Sequence, residues 1–175
     1  MAYEKNLKIN FLDTSAIVPL LFYPDILEEG SHALAKFYNE NLLFYTLDLC
    51  IGEALNIIKQ KYFFKKKKQL NFDGYRIIIN RLINTTKEAN GSRLHICKID
   101  LYENNAILNF ALKIIKKYET DFVDSCLIAY IKNNPKIGSQ LITGDQKLYE
   151  IALAENVSCI NYRVDNQQPE TTQIK

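Results

Sequence analysis

Short apolar runs of strand length alternate with segments of helical apolar spacing along this chain, and that alternation limits the fold more than any other feature. The apolar runs are Lys8 to Leu12, Leu42 to Leu47, Arg93 to Ile99, Gln140 to Thr143 and Val157 to Tyr162. Between them the spacing predicts helices from about Pro24 to Asn39, with Pro24 in the first turn, from Asp48 to about Lys66, and from Phe72 to Lys87, ended by Asn90-Gly91. Further helices are predicted from Asp100 to about Tyr118, from Thr120 or Asp121 to about Lys132, and from Gln146 to Glu155, with Asp48 and Asp100 as N-caps. The segment SAIVPL reads as a connection after the first strand. Strands separated by helices pair in parallel, because the crossover must return over the sheet, so the expected fold is α/β with a mostly parallel central sheet and helices on both faces.

A chain of 175 residues can bury a core without disulfides or structural metal. At 47% apolar and 24% charged residues the composition is that of a globular protein, and residues 1–164 are read as one domain followed by a polar tail, 165–175. The four cysteines stand singly in apolar segments without CxxC spacing, which reads as buried free thiols in a reducing compartment and not as a zinc site. MAYEKNLK has no apolar signal core, and no apolar run is long enough to span a bilayer, so the expectation is a cytoplasmic protein with no membrane partner. The net charge of +2 names no partner, but its distribution is uneven: Lys59 to Lys68 contains six lysines and no acid.

Acids stand where a parallel sheet places its chemistry. The carboxyl ends of all strands share one edge, and binding sites form there where the strand order reverses. Asp13 follows the first strand and Asp145 the fourth. Glu53 lies at the margin of a helical apolar stripe, and Asp124 heads another that carries Leu127, Ile128 and Ile131. Singly, each has a structural explanation: Asp13 and Asp145 as N-caps, Asp121 and Asp124 as a capping pair, Glu53 as a helix-margin acid paired with a lysine. Together they are costly, since two like charges about 5 Å apart repel by about 3 kcal/mol at an effective dielectric near 20. Mg²⁺ or Mn²⁺ offsets that repulsion, and an ion that keeps its waters points to metal-assisted hydrolysis of a phosphodiester.

Four stretches, FLDTSAIVPLL, LCIGEALNII, DFVDSCLIAYI and LITGDQKLYEIA, occur in the order found in the PIN-domain ribonucleases, and the chain resembles the VapC-type toxins of toxin–antitoxin systems over about Lys8 to Tyr162. The resemblance implies a three-layer α/β/α fold and an acidic site of Asp13, Glu53, Asp124 and Asp145 binding Mg²⁺ or Mn²⁺, with Ser15 and Thr143 in support. It also implies an RNA substrate, an antitoxin partner and a homodimer. Asp121 is a second choice beside Asp124. The segment between Glu53 and Asp124 is longer than in compact toxins of this type. Its lysines Lys65, Lys66, Lys67 and Lys68 read equally as a solvated helix end or as contacts to an RNA backbone. The alternative function is a non-catalytic PIN-like RNA-binding adaptor, marked by loss of acids that are retained in this chain. A phosphatase with an aspartyl nucleophile ranks last, because Ser15 stands where its second acid is needed.

Overall fold

The computed structural model describes residues 9–24, 29–40, 43–64, 72–86, 94–101, 103, 105–135 and 139–164. The elements are β1 (Asn10–Leu12), α1 (Thr14–Phe22), α2 (Ser31–Glu40), β2 (Phe44–Leu47), α3 (Asp48–Ile57), α4 (Phe72–Thr86), β3 (Leu94–Cys97), α5 (Asn105–Tyr118), α6 (Phe122–Asn133), β4 (Gln140–Thr143), α7 (Gln146–Ala154) and β5 (Cys159–Asn161). A π-helical stretch, Ile58–Phe64, prolongs α3. Lys65 to Lys68, Asn90-Gly91 and the tail 165–175 lie outside the described residues.

The five strands form one sheet in the order β3-β2-β1-β4-β5, and every neighbouring pair is parallel. The chain moves one way from β1 through β2 to β3, then jumps back past β1 to β4 and on to β5. Right-handed crossovers in opposite directions put their helices on opposite faces, α1 to α4 on one and α5 to α7 on the other. The result is the expected three-layer α/β/α arrangement. β1 sits between β2 and β4, with Asn10 opposite Phe44 and Gln140, and all three of its residues are buried. A strand covered on both faces has no polar side to show, which is why the apolar runs do not alternate cleanly. Leu12, Phe44, Leu47, Leu127, Ile128 and Leu141 are fully buried around it. A buried polar pair between β1 and β4 is satisfied: Gln140 Nε2 donates to Asn10 Oδ1 at 2.7 Å.

Four local readings are corrected. SAIVPL is a helix, not a connection: Asp13 caps it at once, and the apolar faces of Ala16, Ile17, Val18, Leu21 and Phe22 bury it despite Pro19 within. Pro24 consequently follows this helix, after a cis Tyr23-Pro24 bond, and the next helix starts only at Ser31. Asp48 is inside the first turn of α3 and Leu47 holds the N-cap position, because β2 passes into the helix without a loop. Asp100 accepts from Glu103 N at 3.1 Å ahead of α5, which begins at Asn105, and does not cap the helix itself.

On the second face, Glu155 at the end of α7 ties three helices together. Its Oε1 accepts from Lys117 Nζ at 3.0 Å and Tyr118 Oη at 2.8 Å, and its Oε2 from Lys132 Nζ at 3.0 Å. These donors outweigh the burial of the group and hold its carboxyl down at about 2. All four cysteines are free, Cys50 and Cys126 buried and Cys97 and Cys159 half-buried. Burial, with the nearby charge of Asp13, pushes the Cys50 thiol up to about 12, so it is a packing residue and not a nucleophile. Among the described residues no helix is long and apolar enough to cross a membrane.

Candidate active site

β1 and β4 are adjacent, and the chain leaves them in opposite directions across the sheet, so the edge beyond Leu12 and Thr143 is the point where strand order reverses. Both strands end in hydroxyl and carboxyl groups there. Asp13 follows β1, is only 3% exposed, and caps α1: its Oδ1 accepts from Ala16 N at 2.9 Å and from the Ser15 hydroxyl at 3.0 Å. Its Oδ2 accepts from the Thr143 hydroxyl at 2.8 Å, a single hydrogen bond on an oxygen with two lone pairs. Burial pushes the Asp13 carboxyl up to about 6, against the opposing effect of the Thr143, Ser15 and Ala16 donors.

Thr143 and Ser15 form the joint between the two strand ends. Thr143 Oγ1 lies 3.3 Å from Ser15 Oγ and accepts from Asp145 N at 2.9 Å. Ser15 Oγ accepts from Gly144 N at 2.7 Å. The two hydroxyls thereby set Asp13 and the Asp145 loop in one frame. Asp145 is exposed and caps α7 through Leu148 N at 2.9 Å.

Asp124 stands in the first turn of α6, half-buried, with its N–H given to Asp121 Oδ1 at 2.9 Å. Burial is the chief cause that pushes its carboxyl up to about 9, followed by the charge and hydrogen bond of Asp121 and then the charges of Asp13 and Asp145. Asp124 therefore faces the same edge as the two strand-end acids. Asp121, exposed, is the N-cap of α6. Glu53 enters from α3: its Oε2 accepts from Thr14 Oγ1 at 2.6 Å, and that hydroxyl also reaches Cys50 O at 3.3 Å. Its link to Asp13 runs through the Asp13-Thr14 peptide.

Asp13 and Asp145 are thus both N-caps and edge residues, and Asp124 lies in the first turn of the helix that Asp121 caps. Capping and convergence have one cause here: a helix that begins where a strand ends, or that descends from the same edge, puts its first-turn carboxylate on that edge. Among the described residues no lysine or arginine pairs with Asp13, Glu53, Asp124 or Asp145. Nor do three His, Cys, Asp or Glu side chains there stand close enough, as placed, to hold a metal ion. What fits a hard divalent cation is the donor chemistry: oxygen alone, an uncompensated carboxyl at Asp124, and an unused lone pair on Asp13 Oδ2. Mg²⁺ keeps several waters in its shell and so tolerates acids that do not close around it.

Sequence reasoning placed Asp13, Ser15, Asp124, Thr143 and Asp145 on this edge, with Asp121 beside them. It did not select Thr14, Gly144 or Tyr162. The Tyr162 hydroxyl donates to Ser15 O at 2.7 Å, a contact across 147 residues that no local pattern signals. Lys65 to Lys68 cannot be set against the site, being outside the described residues. His32 bonds Tyr23 Oη at 3.1 Å and His95 packs on Tyr45, so neither takes part.

No protein-family model matches the sequence, and no curated protein matches it. Solved structures do. VapC20 of Mycobacterium tuberculosis, a toxin that cleaves the sarcin–ricin loop, superposes with a TM-score of 0.56 over 83% of this chain and 94% of that one, at 13% identity. The chain has a PIN-like fold. A toxin–antitoxin complex from Klebsiella pneumoniae matches at a TM-score of 0.48 and 14% identity, over 80% of this chain and 89% of that one. PAE2754 of Pyrobaculum aerophilum also matches at 0.48, with 19% identity over 83% and 85%. Within this PIN-like fold, the acidic edge lies between β1 and β4.

Proposed function

We propose that the chain is an endoribonuclease dependent on Mg²⁺ or Mn²⁺ and the toxin of a toxin–antitoxin pair. The observation that carries the reading is the gathering of Asp13, Asp124 and Asp145 at the reversal of strand order with no cation paired to them among the described residues. VapC20, of the same fold, is a sarcin–ricin-loop-cleaving toxin, which supports the choice of RNA as substrate.

Asp13 and Asp124 would hold the metal, with Asp145 completing the ligand set. Bound there, the ion supplies neutralisation of phosphate charge and a more acidic water. Thr143 and Ser15 orient Asp13, each by one hydrogen bond to a different carboxyl oxygen. Thr14 orients the Glu53 carboxylate through Oε2, and that carboxylate would take the proton of the attacking water. Asp121 orients Asp124 by accepting from its main-chain N–H.

Lys65 to Lys68 are proposed as contacts to the RNA backbone, and the protein as a cytoplasmic homodimer whose acidic edge an antitoxin covers. The test is cleavage of RNA with Mg²⁺ or Mn²⁺, with chelator, and with Asp13→Asn and Asp124→Asn. Cleavage that depends on the ion and is lost in both variants is expected; cleavage that survives chelation and both substitutions overturns the metal site. RNA binding without cleavage in any divalent ion would favour the adaptor.

A further inference from the structure

We infer that Tyr162 is a positioning residue for the acidic edge, acting through the main chain of Ser15, and that Pro19 and Gly144 are the two residues that make this contact available. The inference rests on the proposed nuclease reading and names a further part of the same site.

The argument begins inside α1. In an α-helix the carbonyl of residue 15 accepts from the N–H of residue 19, but residue 19 is proline and has none. Ser15 O, on a half-buried residue, is left without that donor. The Tyr162 hydroxyl supplies it at 2.7 Å, from just beyond the carboxyl end of β5. Tyr162 is itself fixed: it is 3% exposed, and its N–H donates to Thr143 O at 3.1 Å.

Two glycines make room for the ring. A Cβ on Gly144 would stand 2.5 Å from the Tyr162 hydroxyl and 2.7 Å from its Cζ, so any larger residue there pushes the phenol off Ser15. A Cβ on Gly30, whose φ is +77°, would lie 2.9 Å from Tyr162 Cδ2. The hydroxyl is therefore held at a set position, and its partner is the residue whose side chain bonds both Asp13 Oδ1 and Gly144 N. Tyr162 joins the ends of β1, β4 and β5 through main-chain atoms. A shift of the Ser15 backbone by a few tenths of an ångström moves Ser15 Oγ and, with it, the carboxylate of Asp13.

Tyr162→Phe keeps the ring and removes only the donor. The variant is expected to fold and to melt within a few degrees of wild type, while kcat for RNA cleavage falls about tenfold with KM unchanged, the size of effect that a small displacement of a reacting group produces. Affinity for Mn²⁺ alone, measured by calorimetry without RNA, should fall in parallel. Pro19→Ala returns an N–H to the Ser15 carbonyl, so Pro19→Ala in the Tyr162→Phe background should recover part of the lost kcat; a ring that only fills space would not be rescued that way. Gly144→Ala should reproduce the Tyr162→Phe defect. Wild-type kcat and Mn²⁺ affinity in Tyr162→Phe overturn the inference, and absence of rescue overturns the role of the Ser15 carbonyl. If wild type itself neither binds Mn²⁺ nor cleaves RNA, the nuclease reading fails and takes the inference with it; an active wild type with an equally active Tyr162→Phe rejects the inference alone.

Discussion

The Thr143 hydroxyl donates to Asp13 Oδ2 at 2.8 Å, joining two strand ends 130 residues apart in sequence but adjacent in the sheet. Asp13 is buried and has no cation beside it among the described residues, so this bond, with those from the Ser15 hydroxyl and the Ala16 N–H, is what opposes burial and favours its carboxylate form. Thr143→Val preserves shape and removes the donor. It should cost about 1.5–3 kcal/mol, the range for a hydrogen bond to a charged group, and both it and Ser15→Val should lower RNA cleavage. Chemical denaturation and a cleavage assay on the two variants check this.

Asp124 is raised from an ordinary 3.8 to about 9 in the folded chain. A folded-state value above the unfolded one means that the native state prefers the proton. The resulting penalty is absent below about pH 4, grows as pH rises, and is complete only above about pH 9. In metal-free buffer, Asp124→Asn should therefore melt higher than wild type at pH 8, by a margin on the order of 1–2 kcal/mol, and the margin should close as pH falls towards 4. Thermal melts in chelator across that range read the difference directly.

Metal binding should reverse that order. A ligand that binds only the native state stabilises it by about 2.7 kcal/mol at a hundredfold excess over its Kd. Mn²⁺ is expected to raise the melting temperature of wild type and not of Asp13→Asn or Asp124→Asn. An equal rise in all three would place the ion elsewhere.

Glu155 offers a contrast, since its carboxyl is lowered from 4.5 to about 2 by Lys117, Lys132 and Tyr118. Here the stabilisation is fully present above about pH 4.5 and is lost as pH falls through about 2. Lys117 is well exposed, so solvent screening reduces what the charge pairs contribute. Glu155→Gln should cost about 1–2 kcal/mol at pH 7, nearly nothing at pH 2, and leave cleavage unchanged. Urea melts at the two pH values separate this from a role in the site.

Thr14→Val removes the donor to Glu53 Oε2 without changing the shape of the buried side chain. Glu53 would then swing more freely from α3. Cleavage should fall several-fold through kcat, and the melting temperature should change little, because a partly exposed carboxylate regains water when it loses the hydroxyl.

Much of this protein is legible in its sequence. The strand runs, their separation by helical segments and the resulting parallel sheet follow from apolar periodicity, which reports burial directly. β4 begins and ends at Gln140 and Thr143 as the pattern predicts, whereas β1 and β5 are shorter than their apolar runs because pairing, not hydropathy, ends a strand. SAIVPL does not read as a helix for a definite reason: proline within a helix is disfavoured locally, and burial of the rest of α1 with the Tyr162 donor just beyond β5 offsets it.

The acids show the same division. That Asp13, Asp124 and Asp145 belong to one edge is fixed by their places at strand ends and helix starts, since a parallel sheet sends every strand's carboxyl end the same way. Which atoms meet there was decided only by the tertiary structure. Thr14 reaches Glu53, Thr143 reaches Asp13, and Tyr162 serves the carbonyl that Pro19 leaves without a donor, contacts that depend on sub-ångström packing of segments far apart in the chain and so leave no periodic mark in the sequence.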